Sequence, residues 1–226
     1  EAAHQWWGNL LTPGDGPGGD ILAEGMAHFS TLLLLEQEKG LRARIEFAKR
    51  IEERYGDRRQ VDSERPLLRI DGSRDGDETV TYDKGGWVVW MLLNRMGREP
   101  LYAGLRRFIE LYKDGPDHPL LEDLLATLRP FAPDSTGFDD FAWQWFHAVV
   151  VPEYRVSEAK RAEGSAPPGG WIATARVRNA GTGRIPVEVA AVAGDRFDAN
   201  GLPSPDYRDA RATVTLGAGP KRGALP

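Results

Sequence analysis

Glu1-Ala2-Ala3-His4-Gln5-Trp6-Trp7-Gly8 opens the chain, and Leu22-Ala23-Glu24-Gly25-Met26-Ala27-His28-Phe29 follows after the turn-rich run Pro13-Gly14-Asp15-Gly16-Pro17-Gly18-Gly19. Glu1 and His4 are three residues apart, which on a helix puts both on one face. Glu24 and His28 are four apart and share a face in the same way. The Gly/Pro run between the two segments is a reversal that brings Glu24 back toward His4.

Outward from this start, the pattern stays helical to about Val151. Ile21 to Lys39 and Leu41 to Tyr55 read as two helices separated by Gly40. Trp87 to Leu93 is apolar on every side and belongs deep in a bundle. Leu101, Leu105, Phe108, Ile109 and Tyr112 form one apolar face, and Pro100 suits a first helical turn. Leu120, Leu121, Leu124, Leu125 and Leu128 repeat the pattern until Pro130. Phe138, Phe141, Trp145 and Phe146 continue it after an expected break at Asp134-Ser135-Thr136-Gly137.

The period changes near Pro152. Beyond the breaker cluster Ser165-Ala166-Pro167-Pro168-Gly169-Gly170, Ala173, Ala175 and Val177 alternate with polar residues, as do Val187, Val189 and Ala191, and then Ala212, Val214 and Leu216. Period two means strands, and three or four with one apolar face predict part of a β-sandwich. Gly217-Ala218-Gly219-Pro220 ends the pattern without a closing strand. The expected division is 1–152, helical, and 153–226, β.

The 226 residues are 41% hydrophobic and 28% charged, a folded composition. A net charge of -5, with Lys and Arg scattered among Asp and Glu, excludes the basic footprint that a nucleic-acid surface requires. Cys 0 removes disulfides, cysteine zinc sites and a cysteine nucleophile together. Runs such as Leu32-Leu33-Leu34-Leu35 fall far short of the roughly 20 residues of a spanning helix, and nothing reads as a signal peptide.

A catalytic zinc site of two histidines and a glutamate needs two imidazoles four apart on a helix, a carboxylate between them as general base, and a third ligand from another helix. Glu1 fits the base, His4 the second imidazole and Glu24 the carboxylate ligand. The first imidazole is expected immediately before Glu1, outside the chain. Here the sequence resembles the aminopeptidase N-like family of gluzincin metallopeptidases. E-x-x-H-Q-W-W-G, then E-G-M-A, then Tyr82-Asp83-Lys84-Gly85 agree in order with that family, the last resembling its Y-x-K-G segment. The likeness covers Glu1 to about Tyr154. It implies a mainly α fold with a C-terminal β part: the thermolysin-like α-helical half of a catalytic domain followed by a partial β-sandwich. It also implies Zn2+ held by His4 and Glu24, a peptide substrate, and Tyr82 as the hydroxyl that donates to the oxyanion.

Nineteen residues separate His4 from Glu24. With His4-Gln5-Trp6-Trp7-Gly8 and the run from Leu32 to Gly40, this looks most like bacterial members attached to transporter-like membrane segments, which implies an extracytoplasmic or membrane-associated setting. Two features depart from the family. Ala23 stands where many relatives have Asn beside the zinc-binding Glu, and the G-x-M-E-N segment that binds a substrate's free amine would lie upstream. The competing reading is a non-catalytic peptidase-like interaction module attached to a membrane transporter. With the first histidine outside it, the fragment itself is expected to be inactive.

Other residues have plainer readings. Trp6 and Trp7 are expected to pack in the core. His28 is either a structural histidine or an outer-shell partner of the metal site. His118 is expected in a loop and His147 in the core, Glu36 and Glu38 on a solvated helix face, and Asp57 to Asp77 as a charged loop.

Overall fold

The apolar periods of the amino-terminal part each become a helix with that face turned inward. The computed structural model describes residues 1–60, 63–164 and 170–217, in two compact units, Glu1–Val149 and Val150–Pro226. A 3-10 turn, Ala2–Gln5, leads through the Gly/Pro loop to a π turn, Ile21–Gly25, which runs directly into α1, Met26–Arg58. Gly40 interrupts α1 with φ 83 and ψ 177, so it is two helices divided by a kink where expected, and the second folds back on the first to bring Phe47 beside His28. Only glycine takes that φ without strain. A short helix, α2 (Asp77–Thr79), passes into a second π turn, Val80–Lys84, and then into α3, Gly85–Met96.

Helix α3 buries Val88, Val89, Trp90, Leu92, Leu93 and Met96, as its all-round apolar sequence requires. Helix α4, Arg98–Tyr112, buries Leu101, Leu105 and Phe108 and packs on α5, Leu121–Leu128. The Asp123 carboxylate accepts from the Leu120 N–H at 2.8 Å and starts α5, and Pro130 lies in the 3-10 turn Arg129–Phe131 that ends it. The segment 134–137, expected as a break, is instead the cap and first turn of α6, Ser135–Phe146. The Asp134 carboxylate accepts from the Gly137 N–H at 2.9 Å, so the residues that favour a turn serve as a helix start. Phe29, Phe108, Phe146, Ile21, Leu22 and Met26 are among the fully buried side chains of this unit.

The second unit is β. Strands β1 (Tyr154–Glu163) and β2 (Trp171–Asn179) pair antiparallel, from Tyr154 opposite Asn179 to Glu163 opposite Trp171. Strands β3 (Ile185–Ala193) and β4 (Arg208–Leu216) pair antiparallel from Ile185 opposite Leu216. The alternation predicted β2, β3 and β4. It missed β1, whose register shifts between Ser157 and Lys160, with Glu158 at φ 53. That bulge breaks the period-two signal. Val156, Trp171, Ile172 and Val192 stay exposed. Residues 165–169 of the breaker cluster and 218–220 of the closing run lie outside the described residues. Among those described, no helix is long and apolar enough to cross a membrane.

Candidate metal centre

Two glycines set the site. A Cβ on Gly25 would lie 3.2 Å from the Thr81 carbonyl oxygen and 3.3 Å from the Gly85 carbonyl carbon. One on Gly86 would lie 2.6 Å from the His28 Cβ. The starts of α1 and α3 therefore cross backbone against backbone, an approach no side chain permits. Each is preceded by a π turn, a helical irregularity that recurs at functional sites. Glu24 sits in the first turn and Tyr82 in the second, so the crossing brings them together.

His4 approaches from the 3-10 turn. Its Nε2 lies 3.2 Å from Glu24 Oε2, and its Nδ1 lies 3.0 Å from the Trp7 carbonyl oxygen. A carbonyl only accepts, so Nδ1–H donates to it, and the neutral ring turns the lone pair of Nε2 toward the carboxylate. Two lone-pair donors facing one point need a cation between them: a proton, which makes an ion pair, or a metal. Two ligand atoms about 2.0–2.1 Å from a tetrahedral zinc lie about 3.3 Å apart, so the pair has zinc spacing. The side chains of His4 and Glu24 are 28% and 27% exposed, which leaves room for further ligands and a substrate. Among the described residues no group of three His, Asp or Glu side chains gathers, so these two are the donors present.

The outer contacts fit the same purpose. Trp7 is buried, and its Nε1–H donates to Ser30 Oγ at 2.9 Å, which ties the carbonyl that orients His4 to α1. The Ala23 methyl faces the position of Gly8, so a backbone carbonyl, not residue 23, orients the imidazole. Burial and the Glu24 carboxylate push the Tyr82 phenol up to about 12, keeping it a neutral donor. The His28 ring stands edge-on between Tyr82 and Phe47, at 5.5 and 5.8 Å. Its buried Nδ1 has no hydrogen-bond partner and lies 3.8 Å from Asp83 Oδ1. Burial lowers its pKa against the opposing pull of Asp83, so His28 is a neutral ring beside the site.

The family described as Peptidase family M1 domain matches residues 1–145. The chain belongs to peptidase family M1. Its fold is similar to that of the M1 zinc metallopeptidase from Deinococcus radiodurans, at 19% identity and a TM-score of 0.50, over 67% of this chain and 32% of that one. A point variant of the same protein gives 0.51 at 18% identity with the same coverage. A two-domain M1 zinc metallopeptidase bound to L-tryptophan gives 0.50 at 19% identity, again over 67% of this chain and 32% of that one. The M1 chain thus spans about a third of the length of these structures. No curated protein sequence matches it.

Of the residues singled out in this M1 sequence, His4, Glu24, Tyr82 and His28 come together. Glu1 is an exposed residue whose backbone carbonyl accepts from the His4 N–H at 3.1 Å; its carboxylate makes no described contact with the other four. Three plainer expectations change. Trp6 is 55% exposed while only Trp7 is core, because a single 3-10 turn sends adjacent side chains to different sides. His147 is exposed and stacks on Trp143 at 5.1 Å. Glu36 is bridged by Arg44 at 2.9 Å and Arg98 at 2.5 Å rather than simply solvated.

The charged residues that matter most were missed. Asp83, in the π turn that leads into the apolar helix α3, has a side chain 1% exposed and pairs with Arg54. Lys84 pairs with Glu64, whose side chain is fully buried within the supposed charged loop. The available signal was the placement of Asp83-Lys84 inside an otherwise apolar run from Val80 to Leu93, where an unpaired charge is not tolerated.

Proposed function

We propose that this chain carries part of the active site of a zinc-dependent aminopeptidase, with His4 and Glu24 as zinc ligands, Glu1 as general base and Tyr82 as oxyanion donor. The observation that supports it best is the facing pair His4 Nε2 and Glu24 Oε2, with the other nitrogen of the ring engaged by the Trp7 carbonyl. Carboxylate and imidazole held by outer hydrogen bonds are the usual surroundings of a zinc ligand. Bound there, zinc supplies Lewis-acid activation of a water and of the scissile carbonyl. Glu1, three residues before His4, takes the water's proton and returns it to the leaving amine. Tyr82 donates its hydroxyl proton in a hydrogen bond to the oxyanion. His28 lies beside Tyr82 as an outer-shell residue. Two donors hold zinc less firmly than three, so the 226-residue chain alone binds it weakly and does not hydrolyse peptides.

The test has two parts. Zinc titration of the chain by calorimetry is expected to show binding that His4→Ala and Glu24→Ala each abolish. In the parent enzyme, Glu1→Gln is expected to keep stoichiometric zinc and lose hydrolysis, while an acetylated peptide resists cleavage that its free-amine counterpart undergoes. Hydrolysis retained in Glu1→Gln would refute the catalytic assignment. A parent that binds no zinc would identify the chain as the non-catalytic interaction module, and equal cleavage of both peptides would remove the aminopeptidase specificity.

A further inference from the structure

Tyr82 is followed by two buried charges of opposite sign. The Asp83 side chain is 1% exposed and that of Lys84 6%. Arg54 Nε donates to both Asp83 oxygens, at 2.8 and 3.0 Å, and its terminal nitrogen bonds Oδ1 as well. Lys84 Nζ donates to Glu64 Oε1 at 2.5 Å. The same carboxylate accepts from the Tyr55 hydroxyl and from Arg59 Nε, both at 2.8 Å. Both anchors come from one run of chain, the end of α1 and the segment after it.

Buried ion pairs are poor sources of stability, because desolvation cancels most of their attraction; their best-attested use is to fix register. Register is what matters here. Tyr82 lies within the π turn Val80–Lys84, and reversion of that turn to α geometry by one residue would rotate its side chain by about 100° about the helix axis. Asp83 and Lys84, fixed to two different partners, pin the turn at adjacent residues and resist that rotation. Packing alone would not, since Val80 is the only large apolar side chain in the turn that is buried.

We infer that Arg54 and Glu64 are positioning residues, which clamp the π turn through Asp83 and Lys84 and so hold the Tyr82 hydroxyl at the site. The inference rests on the peptidase reading of Tyr82, and the test separates the two. Arg54→Met with Asp83→Leu, and Glu64→Leu with Lys84→Met, remove each clamp together with both of its charges; the second pair also releases Arg59, whose side chain is 17% exposed. In the parent enzyme each pair is expected to lower kcat about ten- to a hundredfold, the range for small misplacement of a reacting group, with little change in KM. In a Tyr82→Phe background neither pair should lower it further. Arg54→Lys with Asp83 in place should retain part of the activity that the paired variant loses, because it keeps the charge and loses the fork.

Wild-type kcat in both paired variants, or an equal loss with and without the Tyr82 hydroxyl, overturns the inference. If Tyr82→Phe itself leaves kcat unchanged, the catalytic reading of Tyr82 falls and the clamp is judged on the chain by amide hydrogen exchange. Exchange across residues 80–84 is expected to rise at least about tenfold in each paired variant relative to wild type. Unchanged exchange overturns the clamp whatever Tyr82 does.

Discussion

Replacing Gly86 by alanine should destabilise the helical unit, while the same change at Gly56 should stabilise it. Both glycines lie within regular helix, so alanine gains about 0.5–1 kcal/mol of helix propensity at either site. The surroundings decide the sign. A Cβ on Gly56 meets nothing within 4 Å. A Cβ on Gly86 would lie 2.6 Å from the His28 Cβ, 3.0 Å from the Gly25 carbonyl oxygen and 3.3 Å from the Phe29 nitrogen. Ordinary carbon contacts are about 3.5–4.0 Å, so the two helices must part by about 1 Å. None of the three atoms can rotate away, which places the penalty near the upper end of the roughly 1–3 kcal/mol range for overpacking. The net expectation is about +2 kcal/mol of destabilisation for Gly86→Ala and a gain of up to about 1 kcal/mol for Gly56→Ala. At about 2–4 °C per kcal/mol the two melting temperatures should differ by roughly 6–12 °C. Urea unfolding followed by tryptophan fluorescence reads the helical unit, where Trp7, Trp90 and Trp145 are buried. A Gly86→Ala protein as stable as wild type would refute the close-crossing argument.

Glu64→Gln leaves Lys84 buried without a counter-charge and is expected to remove about 3–5 kcal/mol, whereas Arg129→Met, at a pair about half-exposed on both sides, should change stability far less. Comparison of their urea midpoints checks this, and equal losses would contradict it. Burial alone would raise the Glu64 carboxyl, but Lys84, Tyr55 and Arg59 together hold it below the ordinary 4.5. Its folded value is depressed, so its contribution is present above pH 4.5 and lost as pH falls below that through the folded value; urea midpoints measured down this range should fall more steeply than in the Glu64→Leu/Lys84→Met pair. Tyr82 behaves oppositely: its folded value is raised, so its contribution is full below pH 10.0 and is lost as pH rises through about 12, a loss absent in Tyr82→Phe when alkaline unfolding is followed. Zinc should raise the melting temperature of the chain, and a similar shift in His4→Ala would place the binding elsewhere.

The helical half was legible because burial imposes a 3.6-residue period. Leu101, Leu105 and Phe108 declare a core face, and Gly40 declares a break that the left-handed φ bears out. The antiparallel strands were legible where alternation is unbroken, as in β3, and hidden in β1 where a bulge interrupts it. At the site, the spacing of Glu1, His4 and Glu24 pointed to zinc chemistry, and the meeting of His4 with Glu24 follows from the reversal between them. What could not be read was the pairing of charges distant in sequence. Nothing local ties Arg54 to Asp83 or Glu64 to Lys84; only the return of the chain after the kink at Gly40, through the end of α1 and the segment after it, supplies those partners. The Asp57-to-Asp77 stretch reads as solvated because its composition is charged, yet Glu64 and Asp77 are buried with partners in place.

The glycines of the two motifs are as necessary to the site as its polar residues. Glu24 and Tyr82 each precede a glycine by one to three residues, and those glycines are the surfaces on which α1 and α3 touch. A carboxylate on one π turn and a phenol on the other then face each other with little freedom, since any slide of the helices meets the His28 Cβ or the Gly25 carbonyl. That rigidity suits the role proposed for Tyr82, since an oxyanion donor must stand where charge develops rather than move there as it does. It also explains why Asp83 and Lys84 can be charged so near the core: the crossing fixes where the π turn lies, and the two ion pairs fix how it is rotated. Position and rotation are separate constraints, so loosening the crossing with Gly86→Ala and releasing the clamp with Arg54→Met/Asp83→Leu should impair Tyr82 by different routes. The first should alter its distance from Glu24 and shift the phenol's titration back toward 10.0, while the second should free the turn to exchange with the helices still in contact.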